Sequence, residues 1–177
     1  LCAGPAMAQQ LTGTLKNIKD TGAITLGHRD SSIPFSYLDD NQKPIGYAMD
    51  ICYRIVDAVK KELKLDKLEV KLNPVTSSTR IPLLANGTID LECGSTTNNK
   101  ARQKDVDFAY TTYVEEVRIA TKAGSGIKSI KDLNGKTVAT TTGTTSVQTL
   151  RKNERAQGLD FKEVTGKDHA DSFLLLE

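Results

Sequence analysis

Short apolar runs alternate with amphipathic helical runs along this chain, and that alternation predicts an α/β architecture. Ala23 to His28 reads as a buried strand between Gly22 and the polar run Arg29-Asp30-Ser31-Ser32. Phe35 to Leu38 and Ile45 to Tyr47 flank Asp39-Asp40-Asn41-Gln42-Lys43-Pro44, whose turn formers predict a hairpin-like excursion. Met49, Cys52, Tyr53, Val56, Val59 and Leu63 recur at mostly i, i+3, i+4, i+7 spacing, which predicts a strong helix. Leu68 to Leu72 alternates as a second strand that ends at Asn73-Pro74. Ser77 or Ser78 can cap a short helix through Ile81 to Ala85, stopped by Asn86-Gly87, with Pro82 tolerated in its first turn. Ile89 to Cys93 predicts a third strand running into the turn formers Gly94 to Asn99.

Asn98 or Asn99 can start another short helix through Gln103, and Val114 to Thr121 has strand character. A lobe boundary is expected near residue 114, giving residues 9–114 to one lobe and 115–177 to another. After Ala123-Gly124-Ser125-Gly126 a new βα cycle begins. It holds a small helix ending at Gly135, a strand Thr137 to Thr140, and a helix from about Ser146 to Arg155 that packs Val147 and Leu150. A strand from Leu159 to Val164 follows, and Asp168 can cap a last helix.

Composition narrows the function classes. The 177 residues are 38% hydrophobic and 26% charged, as in a folded domain. A net charge of +2 with interspersed signs argues against a nucleic acid partner, as does the lack of Trp. Ala6-Met7-Ala8 has the small-x-small form of a signal peptidase site, so residues 1–8 read as a signal-peptide remnant. Three cysteines define no disulfide framework. Cys52 reads as a buried small hydrophobe, and Cys93 as the same or as half of a bridge to a cysteine beyond this sequence. Neither metal-ligand spacing nor a cofactor motif is present.

The chemistry gathers at strand-to-helix turns, where ligands bind in open α/β sheets. Arg29 can offer a guanidinium fork to a carboxylate, or form a salt bridge to Asp30 or another acid. Thr76-Ser77-Ser78-Thr79-Arg80 supplies hydroxyls and amides at a helix start together with a full positive charge; plain helix capping is its other reading. Ser95, Thr96 and Thr97 with Arg102, and Thr141 to Ser146, offer donors and acceptors suited to an α-carboxylate and an α-ammonium. His169 can donate to a ligand or simply sit at the surface. No nucleophile elbow or Walker loop appears, so catalysis is not expected.

Gly46-Tyr47-Ala48-Met49-Asp50-Ile51-Cys52 resembles the signature of family 3 extracellular solute-binding proteins, which feed polar amino acid ABC importers. Gly27 to Ser32, Ser77 to Leu83, Glu92 to Asn99, Gly143 to Ser146 and Lys167 to Phe173 together resemble the glutamate/aspartate-binding proteins of that family. The resemblance implies a two-lobed, hinged, periplasmic-binding-protein-like fold with the ligand in the cleft. It implies Arg29, Ser77, Arg80, Ser95, Thr97, Arg102, Thr145 and His169 as ligand contacts, and a membrane ABC permease as partner. Such proteins are longer, so the second lobe is expected to be incomplete here, with the acid for the ligand's α-ammonium beyond this sequence. Apolar surface left uncovered in that way can drive self-association. The competing expectations are a ligand-binding sensor module of a receptor and a remnant without ligand binding.

Overall fold

The computed structural model describes residues 11–177, so the expected signal-peptide remnant and Cys2 lie outside the described residues. The first element among the described residues is helix α1 (Gly13–Thr21), which the apolar pattern did not announce because it buries only Ile18. Gly22 ends it in the left-handed region at φ 67°, and its N–H caps the Ile18 carbonyl. Strand β1 (Ala23–His28) follows and forms the centre of a parallel sheet.

The partners of β1 are β5 (Glu69–Pro74) and β6 (Leu91–Cys93), in the order β5-β1-β6. Between β1 and β5 lie the short antiparallel strands β2 (Ser31–Ser32), β3 (Ser36–Leu38) and β4 (Pro44–Ile45), then helix α2 (Tyr47–Glu62). The helix buries Met49, Cys52 and Val56 against Ile18, Ile24, Leu26 and Cys93, forming the main core. Tyr47 belongs to α2 rather than to the hairpin, because Gly46, at φ 121°, starts the helix. A Cβ on Gly46 would lie 2.6 Å from the Phe35 carbonyl oxygen, so only glycine lets the two backbones approach.

Three expectations are corrected. Cys52 and Cys93 form a disulfide with Cα atoms 6.1 Å apart, which ties α2 to the end of β6. They meet because α2 packs across the sheet at β6, a geometry that a separation of 41 residues does not encode. The stretch Val114 to Thr121 forms no strand, since no other segment among the described residues runs alongside it to complete a ladder. Helix α3 (Arg80–Ala85) has Thr79, not Ser77 or Ser78, at its N-cap. Thr76 and Thr79 exchange backbone-to-hydroxyl bonds there, and Ser77 turns inward.

A second, two-stranded parallel sheet pairs β7 (Thr137–Thr141) with β8 (Lys162–Gly166). Before it, Ser129 and Asp132 form a capping box on a short 3-10 helix (Ile130–Leu133). Helix α4 (Thr145–Gln157) joins the two strands, ending at Gly158 in the left-handed region. Arg151 on α4 donates to Glu163 on β8 at 2.8 Å, and Thr140 on β7 donates to the same carboxylate at 2.7 Å. Strand β8 starts later than its apolar pattern suggests, because Leu159 N–H still bonds the Glu154 carbonyl of α4. Helix α5 (His169–Leu174) is capped by Asp168, whose carboxylate accepts from the His169 N–H at 2.7 Å.

Candidate functional site

The turns after β1, β5, β6, β7 and β8 converge on one side of the molecule. They enclose a cavity of about 200 Å³ lined by Arg80, Ser95, Thr97, Thr145 and His169, all singled out from the sequence. Ser32, Phe35, Glu115, Thr144 and Ser146 also line it. Hydroxyls dominate the wall, and Arg80, His169 and Glu115 carry its ionisable groups.

Arg80 sits at the start of α3, only 2% exposed. Its Nε and Nη1 have no hydrogen-bond partner among the described residues, and neither has the buried hydroxyl of Ser77 nearby in sequence. A buried donor without a partner loses its hydration for nothing, at about 1–3 kcal/mol or more if charged. Such a group is poised for an anion. Burial lowers the Arg80 pKa from its ordinary value to about 10, with Arg29 and Arg102 adding to the fall and Glu92 opposing it. The guanidinium therefore stays charged at neutral pH. Glu92, whose Oε1 is also buried and unpartnered, is pushed up by burial, against the pull of Arg80 first and then Thr96, Arg29 and Arg102.

Arg29 is fully buried at the end of β1. Its Nη2 pairs with Asp168, the cap of α5, and its backbone N–H donates to Ser36 Oγ at 2.9 Å. Its Nε and Nη1 remain without partners, so part of the fork is still unspent. Of the two readings left open by the sequence, the salt bridge forms, with Asp168 rather than Asp30 as its acid.

Arg102 starts a 3-10 turn (Arg102–Lys104). Its Nη1 donates to the Thr97 carbonyl at 2.9 Å and its Nη2 to the Gly143 carbonyl at 3.1 Å. It thus joins the loop after β6 to the turn after β7. Thr97 and Thr145 meet across the same gap, with hydroxyl oxygens 3.4 Å apart. Gly143, at φ 80°, packs directly on the Ser77-Ser78 backbone, where a Cβ would come within 2.7 Å of three backbone atoms.

His169 Nδ1 lies 3.1 Å from Ser32 Oγ. Burial first, then the positive charges of Arg29 and Arg80, hold its pKa below the ordinary 6.5, with Asp168 pulling the other way. The imidazole is thus mainly neutral at neutral pH.

Sequence reasoning missed Phe35 and Glu115. Phe35 stands edge-on to Tyr113 at 5.0 Å and to Tyr47 at 6.2 Å. Tyr47 also donates its hydroxyl to the Thr112 carbonyl at 2.8 Å, holding the strandless 112–115 segment beside the cavity. No local pattern announces such a contact, because the partners are about 65 residues apart. Among the described residues no helix is long and apolar enough to cross a membrane.

Residues 24–171 match the model for bacterial extracellular solute-binding proteins, family 3. The L-glutamate/L-aspartate-binding protein of Pseudomonas aeruginosa is 52% identical over all of this chain, which covers 59% of that protein. The glutamate/aspartate import solute-binding protein of Escherichia coli K12 is 48% identical, and the chain spans 60% of its length. Among solved structures, the ancestral amino acid-binding protein AncCDT-1, a precursor of cyclohexadienyl dehydratase, superposes with a TM-score of 0.77 at 29% identity. That match covers 93% of this chain and 69% of the other.

Proposed function

Since this chain belongs to the bacterial extracellular solute-binding proteins of family 3, we propose that it captures L-glutamate or L-aspartate in the periplasm and delivers it unchanged to a membrane ABC permease. In this reading residues 9–114 contribute to one lobe and 115–177 to the other, with the amino acid held between them.

The observation that carries the proposal is the buried Arg80 guanidinium with two unspent donors facing a hydroxyl-rich cavity. A ligand carboxylate satisfies those donors together with the Ser77 hydroxyl. The second carboxylate meets Thr97, Thr145 and the remaining donors of Arg29 and Arg102, with His169 as a further donor. Each charge-assisted hydrogen bond is worth about 1.5–3 kcal/mol. A glutamine side chain carries no charge to match, so it leaves a buried guanidinium under-paired and is rejected. The relatives named for glutamate and aspartate support the same ligand class. Nothing in the reading requires bond-making: the groups around the cavity hold charge and exchange hydrogen bonds.

Isothermal calorimetry on the full-length protein tests the proposal. Saturable heat is expected with L-glutamate or L-aspartate and none with L-glutamine or L-arginine. Binding of either of the latter, with no response to the acids, overturns it.

A further inference from the structure

Glu92 stands on β6, at the wall of a second cavity of about 420 Å³ that also takes in Arg80 and Thr96. We infer that its carboxylate is the counter-charge of the Arg80 anion site: it acts on the solute through Arg80 and ties capture of the solute to uptake of a proton. Resting on the acidic amino acid reading, this makes Glu92 a positioning residue rather than a ligand contact. Its placement is steric. Glu92 folds back over Gly94, where a Cβ would come within 2.3 Å of its Oε1 and 3.0 Å of the Arg29 Cγ. The carboxylate therefore lies against the Arg29 stem, with Oε1 shut from solvent and without a hydrogen-bond partner among the described residues. The Thr96 hydroxyl on the same wall is buried and unpartnered too.

A carboxylate buried in this way stays ionised only beside positive charge. Arg80 is foremost among its cations, followed by Arg29 and Arg102, and Glu92 in turn is the foremost group that upholds the Arg80 charge against burial. Other charges face elsewhere. Asp50, Arg54 and Asp57 of α2, which packs on β6, are exposed, as are Asp107 and Glu115 on the cavity wall. Gly27, the β1 partner of Glu92 in register, has no side chain, and the next residue, His28, faces Asp30. Before a solute arrives, Arg80 and Glu92 each offset the other's burial. An arriving carboxylate draws on the same guanidinium, so two anions share one cation. Glu92 then holds a proton more tightly, and one enters from the buffer. The complex carries more proton than the unliganded protein, so affinity rises as pH falls between the two pKa values of Glu92.

The test is calorimetry of L-glutamate binding to the full-length protein and its Glu92→Gln variant, from the ordinary carboxylate range to mildly alkaline pH, in buffers of differing ionisation heat. The variant is expected to take up fewer protons per glutamate bound, the remainder belonging to His169. The two proteins should bind glutamate alike at the acid end, where Glu92 is protonated. At the alkaline end the variant should bind about three- to tenfold more tightly, since a charge that repels the solute has gone. Unaltered proton uptake, or an affinity change equal at every pH as a purely structural role would give, overturns the inference while leaving the proposed function standing. If Glu92→Gln does not fold, His169→Gln decides: it keeps Glu92 and should still take up protons on binding, and none taken up overturns the inference. Failure of the unsubstituted protein to bind the acid overturns both.

Discussion

Arg80 holds a full charge almost entirely out of water, and its Nε and Nη1 have no partner among the described residues. Arg80→Ala is therefore expected to weaken glutamate binding at least about a hundredfold, since two charge-assisted bonds are lost. Arg80→Lys keeps the charge but not the fork and should fall between. Calorimetry gives the affinities, and unchanged circular dichroism separates lost contact from lost fold. His169 yields a pH prediction. Its pKa lies below 6.5 before a ligand carboxylate arrives, and that carboxylate raises it. Between the two values the complex holds more proton than the unliganded protein, so affinity rises as pH falls through that window. Titrations near pH 6.5 in buffers of differing ionisation heat should register proton uptake; proton release would refute the assignment. At this scale the sequence showed residue types but not their commitments. Arg29 reads as a ligand fork or as an ion-pair member whose acid the sequence does not name, until Asp168 is brought to it from 139 residues away.

At the scale of elements, periodicity was a good guide where a single face is buried. β1, α2, β5 and β7 lie close to where the sequence puts them, and in β1 and α2 the apolar residues Ile24, Leu26, Met49, Cys52 and Val56 all turn toward the main core. Helix α1 escaped notice with only Ile18 to bury, and Val114 to Thr121 looked like a strand because alternation says nothing about whether a partner strand exists. The Cys52–Cys93 bridge was illegible for a different reason: it depends on where α2 crosses the sheet. By the chain-entropy account, a closed loop of this length stabilises the fold by about 4 kcal/mol. Cys52→Ala with Cys93→Ala is expected to cost about 2–5 kcal/mol in urea unfolding. Because Cys93 precedes Gly94 and Ser95, the double variant should also loosen the β6 end of the cavity and weaken binding. A variant as stable as the parent would show the bridge to be dispensable.

For the whole molecule, the sheet built on β1 and the pair β7-β8 face each other through turns rather than through a shared core. The turn at Gly143 rests on the Ser77-Ser78 backbone with no room for a side chain. Gly143→Val should hold the two turns apart, raising the radius of gyration in small-angle scattering with ligand present and lowering affinity; an unchanged profile would count against this contact. The sequence announced the Thr-rich turn as chemistry, and the structure adds that the same turn is also a surface of contact.

The guanidinium of Arg102, spanning the Thr97 and Gly143 carbonyls, has a kinetic corollary. If a solute enters between these two turns, the bridge must part first, and entry is then limited by an event in the protein that does not depend on solute concentration. In stopped-flow mixing, the observed rate should climb with glutamate and then level off at the rate of parting. Arg102→Met should lift that plateau and shorten residence time together. The affinity lost would then appear as faster escape rather than slower arrival.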